Sequence, residues 1–352
     1  MSHTWQREVP EQGFTQRIIG DLGAALAAGG VVIGDRLGLY RTLAAGPMRP
    51  LELAQQTGTA ARYVEEWLRG QAAGGYVEYD PSTQEYRLTP EQAQALADPA
   101  GIPGAFALVL GALLAQPRVE AAFRTGEGIG WHEHDRQVFD GWARLQESLY
   151  ASALVLDWLP ALHGVTAKLR RGATVADIAC GHVVATILMA KAYPASRFVA
   201  FDNHPDSVAT ARARVEAAGL TDRITVTESW GQTFGGGPYD LVTTFDALHD
   251  QGDPVGLARH IHDQLAADGT WMIVEPAAGA SVRENLTPIG RLYYALSIYL
   301  CVPNALAQEG GHSLGAQAGE EPIRRVVATA GFGHLRTASR TELTVVYEVR
   351  HA

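Results

Sequence analysis

Cysteine is scarce: the 352-residue chain holds two, Cys180 and Cys301. That excludes a disulfide framework and an all-thiolate zinc finger. Basic charge is in deficit as well. The 28 Lys+Arg face 38 Asp+Glu, a formal net charge of −10, which disfavours non-specific attraction to nucleic acid or anionic membrane. Long apolar runs are missing too. Leu22–Gly34 is fenced by Asp21 and Asp35, and Pro99–Ala115 by Asp98 and Gln116. Both fall short of the roughly 20 residues a membrane span requires, and both read as buried core or interface helices. The opening MSHTWQREVPEQ has no apolar h-region, so no secretory signal is visible and a cytoplasmic protein is expected. What is present is ordinary for a folded protein. Hydrophobic residues make up 47% and charged residues 19%, which argues against disorder. The length suits about two domains.

The first hundred residues read as helices followed by a short hairpin. Gln16–Leu43 has helical spacing with a weak point at Gly29-Gly30. Leu51–Gln56 and Ala60–Ala72 form two helices around the turn Thr57-Gly58-Thr59. Tyr76–Tyr79 and Glu85–Leu88 alternate around Asp80-Pro81-Ser82, which is hairpin chemistry. Thr89-Pro90-Glu91 then starts a helix, with Thr as N-cap and Pro at the first helical position. Helix–turn–helix followed by a hairpin is a winged-helix pattern. Residues 101–168 read as connecting helices. Beyond them, strands are expected at Thr174–Ala179, Arg197–Asp202, Arg223–Glu228, Tyr239–Phe245 and Thr270–Pro276. Helices at Thr186–Tyr193, Ser207–Ala218 and Pro254–Leu265 lie between them. Gly333–Ser339 and Glu342–Arg350 suggest a closing antiparallel pair. The predicted fold is thus α/β: a Rossmann-like, doubly wound, mostly parallel sheet behind a mainly helical winged-helix domain. The expected division is 1–100, 101–168 and 169–352.

Ligands of such sheets bind at the carboxyl ends of the strands. The first strand ends in VADIACGHVVAT and the second in FVAFDNH, which puts Asp202 where a carboxylate can hold a ribose hydroxyl pair. The fourth ends in TTFDALHDQGDP and the fifth in MIVEP.

Taken together, ADIACGHVVATILMAKAYPASRFVAFDNH, YDLVTTFDALHDQGDP and DGTWMIVEP resemble the class I S-adenosylmethionine (SAM)-dependent methyltransferases. With the winged-helix segment ahead of them, they resemble the small-molecule O-methyltransferases, in which that module dimerises. The likeness extends over nearly the whole chain. It implies SAM as cofactor, a homodimer, a small-molecule acceptor and a setting in secondary metabolism. It also implies that Asp177 opens the nucleotide-binding loop and that Gly181 lets the backbone approach the methionine part. Asp202 would hold the ribose, Trp230 would lie near the adenine, and Asp246 would border the cofactor. His249 would be the general base; an unperturbed pKa near 6.5 suits removal of a proton from a phenol or enol.

The loop departs from the family form D-x-G-x-G-x-G. It reads Asp177-Ile178-Ala179-Cys180-Gly181-His182-Val183, keeping the middle glycine. Glycine permits unusual φ and close approach to a ligand. Val183 would bring a β-branched isopropyl group to where the cofactor's amino-acid end should lie. Three outcomes follow: a shifted loop, weak binding, or none. The last would leave an isomerase, lyase or cyclase using His249 or His182 for proton transfer. A solvated loop position is the plainer reading of His182.

The acceptor pocket is expected within Asn285–Gln317, with Tyr293, Tyr294, Asn304 and His312 as contacts. Tyr299, Cys301, Arg291 and Gln308 are further members; helix core is the competing reading for the tyrosines. Trp131-His132-Glu133-His134-Asp135 lacks the His-Glu-x-x-His spacing of a zinc site and reads as substrate-side wall or polar turn, so no metal is expected. A DNA-binding regulator is the remaining class. The second helix, AARYVEEWLRG, balances two Arg with two Glu and offers no basic stripe, so nucleic acid is not an expected partner.

Overall fold

The computed structural model describes residues 13–99 and 101–352; the opening segment lies outside them. The chain divides into two compact units, one ending at Leu110 and the other running from Gly111 to Ala352.

The first unit contains α1 (Phe14–Arg36), α2 (Leu39–Leu43), α3 (Pro50–Thr57), α4 (Ala61–Ala73), the hairpin β1 (Glu78–Asp80)–β2 (Glu85–Arg87), and α5 (Pro90–Leu96). Thr89 caps α5 as expected, accepting from the Gln92 N–H at 3.2 Å. Gly29-Gly30 does not break α1. Gly30 and Gly34 serve close packing: Trp67 Nε1 donates to the Gly30 carbonyl at 2.8 Å, and a Cβ on Gly34 would lie 2.4 Å from the Trp67 ring. The chain turns instead at Gly38, where φ is +70°. The 23 residues of α1 form a helix long and apolar enough to cross a membrane, longer than the apolar run alone indicated. It is not a core helix either. Its buried positions are Ala28, Val31, Val32 and Gly34, while Phe14, Ile18, Leu22 and Leu26 are exposed at four-residue spacing. The Arg residues of α4 pair within their own helix, Arg62 with Glu66 and Arg69 with Glu65. α6 (Pro103–Leu113) spans the boundary.

In the second unit, α7 (Gln116–Thr125), a 3₁₀ turn (Trp131–Glu133), α8 (Arg136–Ala153), α9 (Leu159–Ala161) and α10 (Val165–Arg171) precede the sheet. Then β3 (Thr174–Ile178), β4 (Arg197–Asp202), β5 (Ile224–Glu228), β6 (Tyr239–Phe245) and β7 (Leu265–Pro276) alternate with α11 (Val184–Ala192), α12 (Pro205–Ala217) and α13 (Pro254–Gln264). α14 (Pro288–Tyr299), α15 (Cys301–Leu306), α16 (Glu320–Thr329), β8 (His334–Arg340) and β9 (Thr344–Arg350) complete it. The strand order is β5-β4-β3-β6-β7-β9-β8. The first five are parallel, and β9 is antiparallel to both neighbours. The strands read as apolar runs because both faces are covered. Successive residues enter opposite cores: Val175, Leu241 and Met272 on one face, Ala176, Val242 and Ile273 on the other. The chain crosses from one side of β3 to the other between β5 and β6, which opens a crevice at the carboxyl ends of β3 and β6.

Candidate functional site

All five parallel strands end on one cavity of about 300 Å³. Its floor is the segment after β3. Ala179, Gly181 and Val183 there have φ of +56°, +52° and +53°. A β-branched residue in this region is a genuine outlier, so the surroundings must hold Val183 in place. They do: its side chain is fully buried in the core beside α8 and α11, and it does not line the cavity. The loop therefore retains a glycine-type backbone with two non-glycine residues, and the valine isopropyl group points away from the ligand space. The expected obstruction at Val183 is corrected on this point. Gly181 faces the cavity, and a Cβ there would meet no protein atom within 4 Å.

Asp202 fixes this loop from the end of β4. Its carboxylate accepts from the Gly181 N–H at 2.8 Å and from the His204 N–H at 2.9 Å, and burial raises its pKa against those bonds. Asp177 does not reach the cavity. It is buried behind the loop, accepting from Thr243 Oγ1 at 2.9 Å and from Thr186, with burial pushing it up to about 6. Its expected contact with a ligand gives way to a loop-bracing role. Trp230 lies at the rim, half exposed, after β5.

The segment after β6 carries the reactive groups. Asp246, with φ +50°, accepts from the Tyr150 hydroxyl at 3.2 Å. Burial and then Glu275 push its pKa up to about 7, with His249 opposing. His249 is buried between two carboxylates. Nδ1 bonds Glu275 at the end of β7, and Nε2 lies 3.1 Å from Asp250 Oδ1. Burial works against a charged imidazole here, but Glu275 and Asp250 outweigh it and hold the pKa well above the ordinary value. The other oxygen of Glu275 accepts from the Leu248 N–H at 3.0 Å, so the dyad is built on rigid strand ends. Among the lining residues Asp202, Asp246 and Asp250 are acidic, and none is Lys or Arg.

The opposite wall is largely apolar: Trp131 and Trp142 from the helical segment before the sheet, with Tyr293, Leu296, Leu300 and Cys301 from α14 and α15. The Tyr293 hydroxyl donates to the Leu343 carbonyl at 2.7 Å. Asn304 and Gln308 also line it, both directed at the Asp250 carbonyl, at 3.4 and 2.8 Å.

Residues 24–98 match the family model of the Rv2258c-like winged HTH domain, and residues 169–310 match a methyltransferase domain family. The chain thus carries a methyltransferase domain preceded by a winged HTH domain. Solved methyltransferases share its fold from end to end. A Nostoc punctiforme protein assigned provisionally to the O-methyltransferases superposes with TM-score 0.75 at 18% identity, covering 96% of this chain and 100% of its own. Human N-acetylserotonin methyltransferase, solved with SAM, gives 0.73 at 15%, covering 97% and 99%. The mitomycin 7-O-methyltransferase gives 0.69 at 19%, covering 96% and 98%. At these identities the likeness speaks for the fold. No curated protein matches the sequence.

Of the residues singled out from sequence, Gly181, Asp202, Trp230, Asp246, His249, Tyr293 and Asn304 meet around the cavity, as do Cys301 and Gln308. Tyr294 and His312 do not. Tyr294 lies on the outer side of α14, its hydroxyl 3.4 Å from Asn285 Nδ2, and His312 is an exposed loop residue. Tyr299 packs against Ala115, Val119 and Ile129 instead. His182 is buried rather than solvated, does not line the cavity, and burial lowers its pKa. Glu275 was missed as a partner of His249. Its signal was a carboxylate closing the apolar strand MIVEP. Trp142 and Gln146 were also missed, because the segment before the sheet read as connection only.

Proposed function

We propose that this chain is a SAM-dependent O-methyltransferase acting on a hydroxyl of a small, partly apolar molecule. The observation that carries this reading is the left-handed loop backbone, which brings Ala179 and Gly181 to the same cavity as His249, the partner of Glu275. When bound, SAM supplies an electrophilic methyl group on a sulfonium. Asp202 keeps lone pairs free beyond its two backbone bonds and would hold the ribose hydroxyls. Gly181 offers a bare backbone to the methionine part, and Trp230 a flat face near the adenine. A wall bearing Asp202, Asp246 and Asp250 with no Lys or Arg suits a positively charged cofactor.

The acceptor would lie against Trp131, Trp142, Tyr293 and Leu296, which exclude water and limit its orientations; proximity would supply most of the rate. Its proton passes to Nε2 of His249 in the neutral ring, the form populated above the imidazole's raised pKa. Glu275 fixes the ring through Nδ1 and makes the imidazole a stronger base. Asp250 shares the charge that results. The exposed stripe Phe14–Ile18–Leu22–Leu26 is the proposed homodimer contact. The protein is proposed to work in the cytoplasm, in secondary metabolism.

A cofactor-free isomerase, lyase or cyclase was motivated by Val183, and its side chain lies in the core. The test is transfer of a labelled methyl group from SAM to a panel of phenols and enols. Label in an acceptor, lost in Asp202→Ala, supports the reading. SAM binding without transfer to any hydroxyl, but with transfer to amines or thiols, would overturn the oxygen assignment.

A further inference from the structure

The cavity holds a cluster in which the proposed base meets a thiol that methyl transfer does not use. One nitrogen of His249, one carboxylate oxygen of Asp250 and the Cys301 sulfur all lie within 4.8 Å of one another. A tetrahedral metal with bonds of about 2.0–2.3 Å needs ligand separations of about 3.3–3.8 Å. His249 Nε2 and Asp250 Oδ1 are already 3.1 Å apart, so the sulfur needs to close by about 1 Å or less, within reach of a χ1 adjustment. We propose that His249, Asp250 and Cys301 form a site for a thiophilic divalent cation of the zinc type, with its fourth position open to the cavity.

Three further features fit that chemistry. The Nδ1 side of His249 is held by Glu275, the carboxylate–histidine support that orients imidazole ligands of zinc. The Asp250 backbone is fixed by the amides of Asn304 and Gln308. The cavity wall has carboxylates and no Lys or Arg, which favours a dication once His249 gives up its proton. One nitrogen, one oxygen and one sulfur donor with an open position match a reactive rather than a purely structural zinc site. On binding, the thiol and Nε2 of His249 both release their protons to solvent, and the sulfur ligates as thiolate. Occupancy would take Nε2 out of proton transfer. That consequence rests on the methyl-transfer reading; binding itself does not.

The experiment is a cobalt(II) titration of the full-length, metal-stripped protein, followed by absorbance. The expected result is a thiolate-to-cobalt charge-transfer band saturating at one ion per chain. The chain has two cysteines, so the band can be assigned. It should vanish in Cys301→Ser and persist in Cys180→Ser. Glu275→Gln should weaken binding about 10–100-fold. No thiolate band in the wild type, or a band that survives Cys301→Ser, would overturn the proposal. Either result is read without turnover and leaves the methyl-transfer test separate.

Discussion

Val183 is the position at which structure and motif disagree most sharply, and paired substitutions there give a distinctive pattern. Its left-handed backbone is unfavourable for an L-residue by about 1–2 kcal/mol, while its side chain is fully buried. Val183→Ala removes two buried carbons and keeps the strained backbone. At about 0.8 kcal/mol per carbon this costs about 1.6 kcal/mol. Val183→Gly removes one more carbon and adds about 0.4–1 kcal/mol of unfolded-state freedom. It also relieves the strain, which offsets most of that extra loss. The two variants should therefore unfold in urea within about 1 kcal/mol of each other, whereas at an ordinary buried site glycine would be clearly worse. Because the isopropyl group points into the core, neither variant should change the affinity for S-adenosylhomocysteine by more than about threefold, or roughly 0.7 kcal/mol. A gain of tenfold or more in Val183→Gly by calorimetry would refute the reasoning, because it would mean that the side chain occupies ligand space.

Four further outcomes follow. Asp202→Ala should weaken S-adenosylhomocysteine binding tenfold or more, since a hydrogen bond to a charged group is worth about 1.5–3 kcal/mol; unchanged affinity in the calorimeter would count against its ribose role. Asp177, held at about 6 by burial, binds its proton more tightly folded than unfolded, so its contribution to stability is greatest below about pH 4 and is lost as the pH rises through about 6. The full span is about 3 kcal/mol, and the stability difference between wild type and Asp177→Asn, measured by urea unfolding at pH 4.5 and 7, should change accordingly; a constant difference would refute it. His249→Ala should retain transfer to strongly acidic phenols, which arrive ionised, and lose about 100-fold or more with weakly acidic ones; equal losses across the panel would argue against a base. Leu22→Glu with Leu26→Glu should convert a dimer into a species sedimenting at the 37.7 kDa chain mass, and an unchanged dimer would move the interface elsewhere.

Most of the sheet was legible because buried parallel strands write themselves as apolar runs with abrupt ends. Asp202, Asp246 and His249 stand at those ends, so their convergence followed from topology. What stayed hidden was the direction of side chains around the loop. The string ACGHV does not say that Ala179 faces the cavity and Val183 the core; that depends on the valine joining the core cluster that also takes residues from α8 and α11. Asp177 looked like a ligand residue because the motif begins with it, yet the two threonines that hold it lie at positions 186 and 243, beyond any local pattern. Tyr294 and His312 failed for a related reason. Helical spacing alone does not tell which face of α14 meets the cavity, and Tyr293 took that place.

The measurement that bears most directly on the central claim is calorimetric titration of the wild-type protein with SAM and S-adenosylhomocysteine. The left-handed loop, the open face of Gly181 and the carboxylate of Asp202 predict one site per chain with micromolar affinity for both ligands, and loss of binding in Asp202→Ala. No heat of binding from either ligand in the wild-type protein, at concentrations well into the millimolar range, would contradict the account.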